Sequence, residues 1–240
     1  MILPYAELAV TTNFSFLRGA SHPEDYVAEA ARLNLAGIGI ADRNTLAGVV
    51  RAHVALKETD AAESGLKLAI GCRLIFADGT PDLLAYPKDR AAYGRLSRLL
   101  SLGKRRAEKG ECHLTFDDLL AESEGLLLIL IPPEKIGDET IETLKKLVAH
   151  TPDHLWLGAI PLHHGRDKTR LRHLTELATY YDIPLIALND TLYHHPERRR
   201  VQDVFTCIRE HKTIETIGKK LEAHAERHLK SAKEMVYLFR

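Results

Sequence analysis

The chain of 240 residues is 45% hydrophobic and 28% charged, an ordinary globular composition with room for one large domain or two small ones. Its 33 basic and 33 acidic side chains cancel, so net charge does not mark it as a general nucleic-acid binder. Three widely spaced cysteines without a CxxC pair argue against a disulfide framework or a zinc ribbon. The N-terminus does not resemble a signal peptide and no apolar run is of membrane-spanning length, so we expect a cytoplasmic protein without a membrane partner.

The first elements alternate between strand and helix. YAELAV predicts a strand, and SHPEDYVAEAARLNL predicts a helix. Ser21 can act as its N-cap, and Glu24 can complete a capping box with Ser21. AGIGIAD is typical of a buried strand and ends at Asp42. The helix after it, TLAGVVRAHVALKE, carries one apolar stripe, which consists of Leu46, Val49, Val50 and Val54.

The same alternation continues along the chain. Two strands flank the turn ADGTP, and DRAAYGRLSRLLSLG predicts a helix that Gly103 could end. Strands and helices then alternate up to a helix in ERRRVQDVFTCIREH. Largely apolar strands that alternate with helices indicate a parallel sheet covered by helices, and we favour a barrel because no nucleotide-binding glycine motif follows a strand. Periodicity weakens after residue 212, so we predict a domain over 1–212 and a connecting segment over 213–240 that continues into a longer protein.

One ordered set of segments points to a known family: NFSFLRGAS, GIADRNTLAG, AIGCRLIF, RAAYGRLSRLLSLG, ALNDTLYH and RRRVQDVFTCIREHKTI. In this order they resemble the PHP (polymerase and histidinol phosphatase) domain at the N-terminus of bacterial C-family DNA polymerase III α-type subunits, in particular the error-prone, damage-tolerant branch. The resemblance implies an α/β fold, a distorted seven-stranded βα barrel, with a site at the carboxyl ends of the strands.

Metal-binding PHP domains hold up to three divalent ions with His, Asp and Glu, and the resemblance places other residues at most of those positions. The first-strand His-x-His becomes Ala9 and Thr11, and the acid before the first-loop glycine becomes Arg18. The remaining matched positions hold Asp42-Arg43, then Arg73 after Gly-Cys, and finally Asp190-Thr191-Leu192. Two further ligand positions, near Asp82 and near Pro132, have no clear match.

Arginines at such positions put permanent cations where metal ions would bind, since guanidinium does not deprotonate at working pH. We therefore predict that hydrogen bonds and ion pairs replace the metal cluster, with Glu7, Asp42 and Asp190 as the acidic partners of Arg18, Arg43 and Arg73. The weak candidates for a residual metal site are Asp42, Asp190, His163 and His194. For both histidines a loop position without a ligand role is the expected alternative.

Two basic clusters, residues 103–109 and 196–200, are expected to be solvated helix ends, with contact to a DNA backbone as the alternative. The resemblance assigns DNA-directed nucleotidyl transfer with Mg²⁺ to a part of the parent chain beyond residue 240. This domain is then expected to be non-catalytic, to need no cofactor and to support the polymerase in DNA repair and translesion synthesis. Its expected partners are the rest of its own chain and, through the parent, primer–template DNA and other replication and repair proteins.

Two alternatives stay open. One is a residual phosphoesterase or 3′–5′ exonuclease that uses Mn²⁺ or Zn²⁺. The other is a pocket lined by Arg18, Arg43 and Arg73 that binds a phosphate or a nucleic-acid end.

Overall fold

A computed structural model describes residues 3–240, apart from the side chains of residues 60 and 62. The chain is a mixed α/β fold whose strands form a sheet in the order β1-β2-β3-β4-β5-β6-β7. The strands are β1 Ala6–Val10, β2 Gly37–Arg43, β3 Lys67–Leu74, β4 Leu83–Pro87, β5 Leu126–Leu130, β6 Leu155–Ala159 and β7 Leu185–Ala187. The helices are α1 Pro23–Arg32, α2 Val49–Glu58, α3 Arg90–Arg106, α4 Phe116–Glu122, α5 Asp138–His150, α6 Asp167–Tyr180, α7 Arg199–Arg209 and α8 Ala232–Leu238.

The predicted class, an α/β fold with seven strands, is confirmed, but the sheet is not parallel throughout. Strand β1 pairs in parallel with β2, and β5, β6 and β7 also pair in parallel. Strand β4 runs antiparallel to both β3 and β5. The exception arises because residues 75–82 connect β3 directly to β4 without a crossover helix, and such a short connection reverses the chain.

By its contacts the chain divides into two compact units. The first unit comprises residues 3–70 and 188–240, and the second unit comprises residues 71–187. In the first unit, Leu229 is buried in one core with Val10 and Tyr26. The segment after residue 212 therefore packs onto the first strands and helices. The division into a domain over 1–212 and a connecting segment over 213–240 stays a prediction.

Three local predictions were wrong. Helix α1 begins one residue later than expected, with His22 as the N-cap residue, whose backbone N–H donates to Asp25 Oδ2 at 3.0 Å. Helix α3 does not end at Gly103 but continues to Arg106. The buried residues of α2 are Val49, Ala52 and Ala55, whereas Val50 and Val54 of the predicted stripe are exposed.

No helix within residues 3–240 is long and apolar enough to cross a membrane.

Two glycines of α3 differ in what surrounds them. A methyl group on Gly94 would meet nothing within 4 Å, whereas on Gly103 it would lie 2.5 Å from Leu114 Cδ2 and 2.7 Å from Cys112 Sγ. Leu114 is fully buried, so it has little freedom to move away. Gly103 therefore serves close packing rather than helix termination.

We expect opposite effects from the same substitution at these two positions. Gly94→Ala should stabilise the chain by about 0.5–1 kcal/mol, because alanine loses less backbone entropy than glycine in a helix. Gly103→Ala should destabilise it by about 1–3 kcal/mol through overpacking. Urea unfolding of both variants measures this, and equal changes in unfolding free energy would contradict the packing role of Gly103.

Candidate functional site

The carboxylate of Glu7, on β1, is fully buried and its oxygens are occupied by donors. Oε2 accepts from the Tyr5 hydroxyl at 2.7 Å and from the Asn189 backbone N–H at 2.8 Å, and Oε1 accepts from the Ala9 backbone N–H at 2.8 Å. Burial raises the pKa of Glu7, against the effect of these hydrogen bonds. All three donors are neutral, so the expectation that an arginine pairs with Glu7 was wrong. The carboxylate instead ties β1 to the segment after β7.

The two positions that match a first-strand His-x-His make structural contacts. Ala9 is buried in strand β1. The backbone N–H of Thr11 donates to the Thr191 carbonyl at 3.0 Å, and the Thr11 carbonyl accepts from the Tyr26 hydroxyl at 3.1 Å. The carboxyl end of β1 is thus bonded both to α1 and to the segment that follows β7.

Asp42, at the end of β2, is enclosed by the loop that follows β1. Its Oδ1 accepts from the Thr12 backbone N–H at 2.8 Å and from the Ser15 hydroxyl at 2.6 Å, and its Oδ2 accepts from the Thr12 hydroxyl at 2.8 Å. Burial raises the pKa of the Asp42 carboxyl, and these hydrogen bonds oppose the rise. Ser15 Oγ also accepts from the Arg43 backbone N–H at 2.9 Å. Thr12 and Ser15, two hydroxyl residues that the sequence pattern did not indicate, therefore provide the hydrogen-bond donors to this carboxylate.

Arg18 and Gly19 follow in the same loop. The Arg18 side chain is exposed, and its backbone N–H donates to the Ser15 carbonyl at 2.8 Å. A methyl group on Gly19 would lie 2.2 Å from the Thr12 carbonyl oxygen and 2.6 Å from that of Thr11. The loop therefore closes back on its own backbone, and only glycine fits at this position.

Asp190, which matches a metal-ligand position, is held by an arginine that the sequence analysis missed. Arg227 Nη2 lies 2.5 Å from Asp190 Oδ2, its Nε donates to the Asp190 carbonyl at 2.8 Å, and its Nη1 donates to Glu222 Oε1 at 3.0 Å. The Asp190 side chain is 13% exposed and that of Arg227 is 20% exposed. Asp190 has φ 53°, a left-handed conformation that aspartate tolerates better than most residues. The local pattern of the polar segment 213–240 contains nothing that predicts this pairing.

Leu192 and His194 lie beyond Asp190 and have different surroundings. Leu192 is buried in a small apolar cluster with Ala20 and Tyr193. His194 Nδ1 lies 2.8 Å from the Ser21 hydroxyl, and its backbone N–H donates to the same hydroxyl at 3.0 Å. Burial lowers the pKa of His194. The histidine therefore fastens the start of α1, where Ser21 had been predicted to act as a helix cap.

The matched position Arg73 and the weak metal candidate His163 belong to the second unit. Arg73 is buried in β3, and its Nη1 lies 3.8 Å from Asp82 Oδ2. His163 has φ 55°, and its backbone N–H donates to Asp167 Oδ2 at 2.9 Å. Cys72 is a buried free thiol. The acidic neighbour of Arg73 is thus Asp82, which lies near one of the two family ligand positions that have no clear match.

The basic cluster at 196–200 is largely committed to contacts within the first unit. Arg198 donates from Nε and Nη2 to the Ala20 carbonyl, and Arg199 pairs with Asp203 at 2.7 Å and also donates to the His224 carbonyl. In the cluster at 103–109, Arg106 pairs with Asp118 at 2.5 Å. Arg106 is itself exposed, as are the other cations of that cluster, Lys104, Arg105 and Lys109.

The donors at the matched positions do not fit a cluster of divalent ions. Ala9 and Leu192 provide no ligand atom, and Asp42 is already surrounded by hydroxyl and amide donors. Asp190 faces a guanidinium, whose charge opposes a metal ion at the same carboxylate. In the described part of the chain, no group of three or more His, Cys, Asp or Glu side chains is arranged to hold a metal. The interpretation of these positions as a lost metal site stays a prediction.

Comparison with known proteins agrees with the resemblance seen in the sequence. The family model of the PHP domain matches residues 7–157, more than half of the chain. The chain belongs to the PHP domain family. Among curated relatives, an error-prone DNA polymerase of Rhodopseudomonas palustris strain BisB5 is 59% identical over 98% of this chain. An error-prone DNA polymerase of Brucella abortus biovar 1 is 51% identical over the full chain. The PHP chain spans 21% and 22% of the length of these two relatives.

Solved structures with low identity share the fold of this chain. A protein of Bifidobacterium adolescentis described as a metal-dependent phosphoesterase matches with a TM-score of 0.56 and 16% identity, over 78% of this chain and 87% of its own. An amidohydrolase of Chromobacterium violaceum with bound sulfate and no metal matches with a TM-score of 0.54 and 12% identity, also over 78% and 87% of the two chains. At these identities the likeness concerns the fold alone.

The ion pair of Asp190 and Arg227 makes a stability prediction for a double-mutant cycle. Arg227→Met should destabilise the chain by about 2–4 kcal/mol, because it leaves a mostly buried carboxylate without its cation. Asp190→Asn should be similarly harmful, and the double variant should recover about 1–3 kcal/mol of the summed loss. Urea unfolding of the four proteins measures the coupling, and additive single effects would contradict the pairing.

The loop after β1 makes a second prediction. Gly19→Ala should destabilise the chain by about 3 kcal/mol or more, because the added methyl group meets backbone atoms that cannot move independently. Thermal unfolding followed by circular dichroism measures the loss. Phe16→Ala is the matched control in the same loop, since its ring is 82% exposed and its removal should change stability by less than about 0.5 kcal/mol.

Proposed function

We propose that this chain is the PHP domain of an error-prone DNA polymerase, that it has no metal-dependent activity of its own, and that it stabilises the polymerase chain to which it belongs. The relatives named above are error-prone DNA polymerases, and this chain corresponds to about a fifth of their length. The polymerase activity, its Mg²⁺, its DNA and its role in repair are assigned to the parent protein as parts of the same proposal.

The single observation that carries the proposal is the pairing of Asp190 with Arg227. A phosphoesterase of this family needs its carboxylates open toward metal ions and water, so that a bound water loses a proton at neutral pH. Here a guanidinium with a fixed charge faces the carboxylate at 2.5 Å. It also joins the segment after β7 to residues 222–227, so the contact that occupies the Asp190 carboxylate adds a connection within the first unit.

The main competing function is residual metal-dependent phosphoesterase or exonuclease activity. The experiment assays the purified chain for hydrolysis of a phosphate monoester and of single-stranded DNA, with Mn²⁺, Zn²⁺ or Co²⁺. We expect no turnover above that of a buffer control and less than one tightly bound metal equivalent. Turnover that disappears in Asp190→Ala, while the exposed control Lys168→Gln retains it, would overturn the non-catalytic assignment.

The supporting role is tested in the full-length polymerase that carries this domain. Arg227→Met should lower both the midpoint of thermal unfolding and the yield of active polymerase. The rate per correctly folded molecule should stay unchanged, because the altered residue contacts no reacting group. A loss of specific activity without a change in the unfolding midpoint would contradict a purely supporting role.

A further inference from the structure

The second unit contains a cavity that the proposed function does not use. It has a volume of about 310 Å³ and lies between the loops that follow β5 and β6 and the first turns of α6. The polar side chains that matter for its chemistry are Lys135, His164, Arg166, Thr169, Arg170 and His173. This volume is at the lower end of the range of ligand-binding pockets and suits a small molecule or one end of a larger one.

Two charged side chains of α6 hold the walls of this cavity in place. Asp167 accepts from the backbone N–H groups of Leu162 and His163, both at 2.9 Å, and so fixes the loop after β6. Arg170 donates to the carbonyls of Pro132 at 2.9 Å, Pro133 at 3.0 Å and Glu134 at 2.7 Å, and so fixes the loop after β5. Both loops are thereby bonded to one rigid helix, and the cavity is organised before any ligand binds.

The charge of the lining is positive. Three permanent cations, Lys135, Arg166 and Arg170, stand against the two carboxylates Glu134 and Asp167. The hydrogen-bond acceptors of Arg170 are neutral carbonyls, and its carboxylate neighbours are the same Glu134 and Asp167, so the lining keeps a net positive charge. Lys135 and Arg166 have no acidic partner among the side chains that the structure describes.

Further groups at the cavity favour an anion. His164, whose Nδ1 lies 3.4 Å from Glu134 Oε1, and His173 both add positive charge when protonated. Thr169 offers a hydroxyl donor, and the N-terminus of the 14-residue helix α6 contributes the positive end of its dipole.

We propose that this cavity binds a phosphate group, either free phosphate or the terminal phosphate of a nucleotide or polynucleotide. Lys135 and Arg166 supply the charge that recognises it, and Thr169 supplies a hydrogen bond. Asp167 and Arg170 act as positioning residues because their polar groups are bonded to the loops that form the walls. The site is distinct in its residues from the predicted pocket of Arg18, Arg43 and Arg73, and it does not depend on the proposed supporting role.

The test uses the 240-residue chain and titrates it with inorganic phosphate, thymidine 5′-monophosphate, and a short oligonucleotide with or without a 5′-phosphate. Binding is followed by calorimetry and by the amide NMR signals of residues 162–173 at constant ionic strength. We expect at least one phosphate-bearing probe to bind and to shift these signals, and thymidine without phosphate to leave them unchanged. A preference for the phosphorylated oligonucleotide identifies a polynucleotide end, and equal affinity for inorganic phosphate identifies the phosphate group alone.

Charge variants localise the site. The double variant Lys135→Gln, Arg166→Gln should weaken phosphate binding by about tenfold or more, because it removes two charged hydrogen-bond donors. Lys168→Gln is the matched control, since Lys168 is an exposed cation of the same helix that does not line the cavity. Equal weakening in the control would mean a diffuse surface charge and would overturn the proposal. Absence of shifts in residues 162–173 with every probe at about 10 mM would overturn it as well.

Discussion

A carboxylate removed from water must be met by donors or cations, and the first unit is organised around three such carboxylates at or just beyond strand ends. Glu7 is met by three neutral donors, Asp42 by backbone and hydroxyl donors, and Asp190 by a guanidinium. The partners come from different parts of the chain. Glu7 accepts a hydrogen bond from Asn189 in the segment after β7, and Asp190 forms an ion pair with Arg227 in the last thirty residues of the unit.

These contacts explain why the loop after β1 keeps its shape. Thr12 and Ser15 bend toward Asp42, and Gly19 allows the loop to return so closely that any side chain at that position would meet backbone oxygens. The backbone N–H of Ala20 then donates to the Leu192 carbonyl at 2.8 Å, which joins the loop to the segment after β7. The local shape of the loop and the connection between distant segments therefore rest on the same few residues.

The matched positions of the first unit and the cavity of the second unit differ in whether their charged side chains are paired. In the first unit, Asp190 and Arg227 satisfy each other, and most donors near Asp42 are short polar side chains or backbone groups. In the second unit, the cations Lys135 and Arg166 border a cavity whose walls are already fixed by other residues. A paired charge contributes mainly to stability, whereas an unpaired charge beside a preformed cavity is available to a ligand.

The sequence by itself determined the α/β class, the strand and helix order and the family. These follow from short-range periodicity and from motifs that survive in one chain order, as in the β1 segment and in ALNDTLYH. It did not determine which side of α2 is buried. Val50 is exposed and Ala52 is buried, because burial depends on which face of the helix packs against the rest of the unit. Nor did it identify Arg227 as the partner of Asp190, since Arg227 lies 37 positions further along the chain, in a polar segment without periodicity. Only the tertiary structure decided those contacts, because a buried charge selects its partner by distance in space and not by position along the chain.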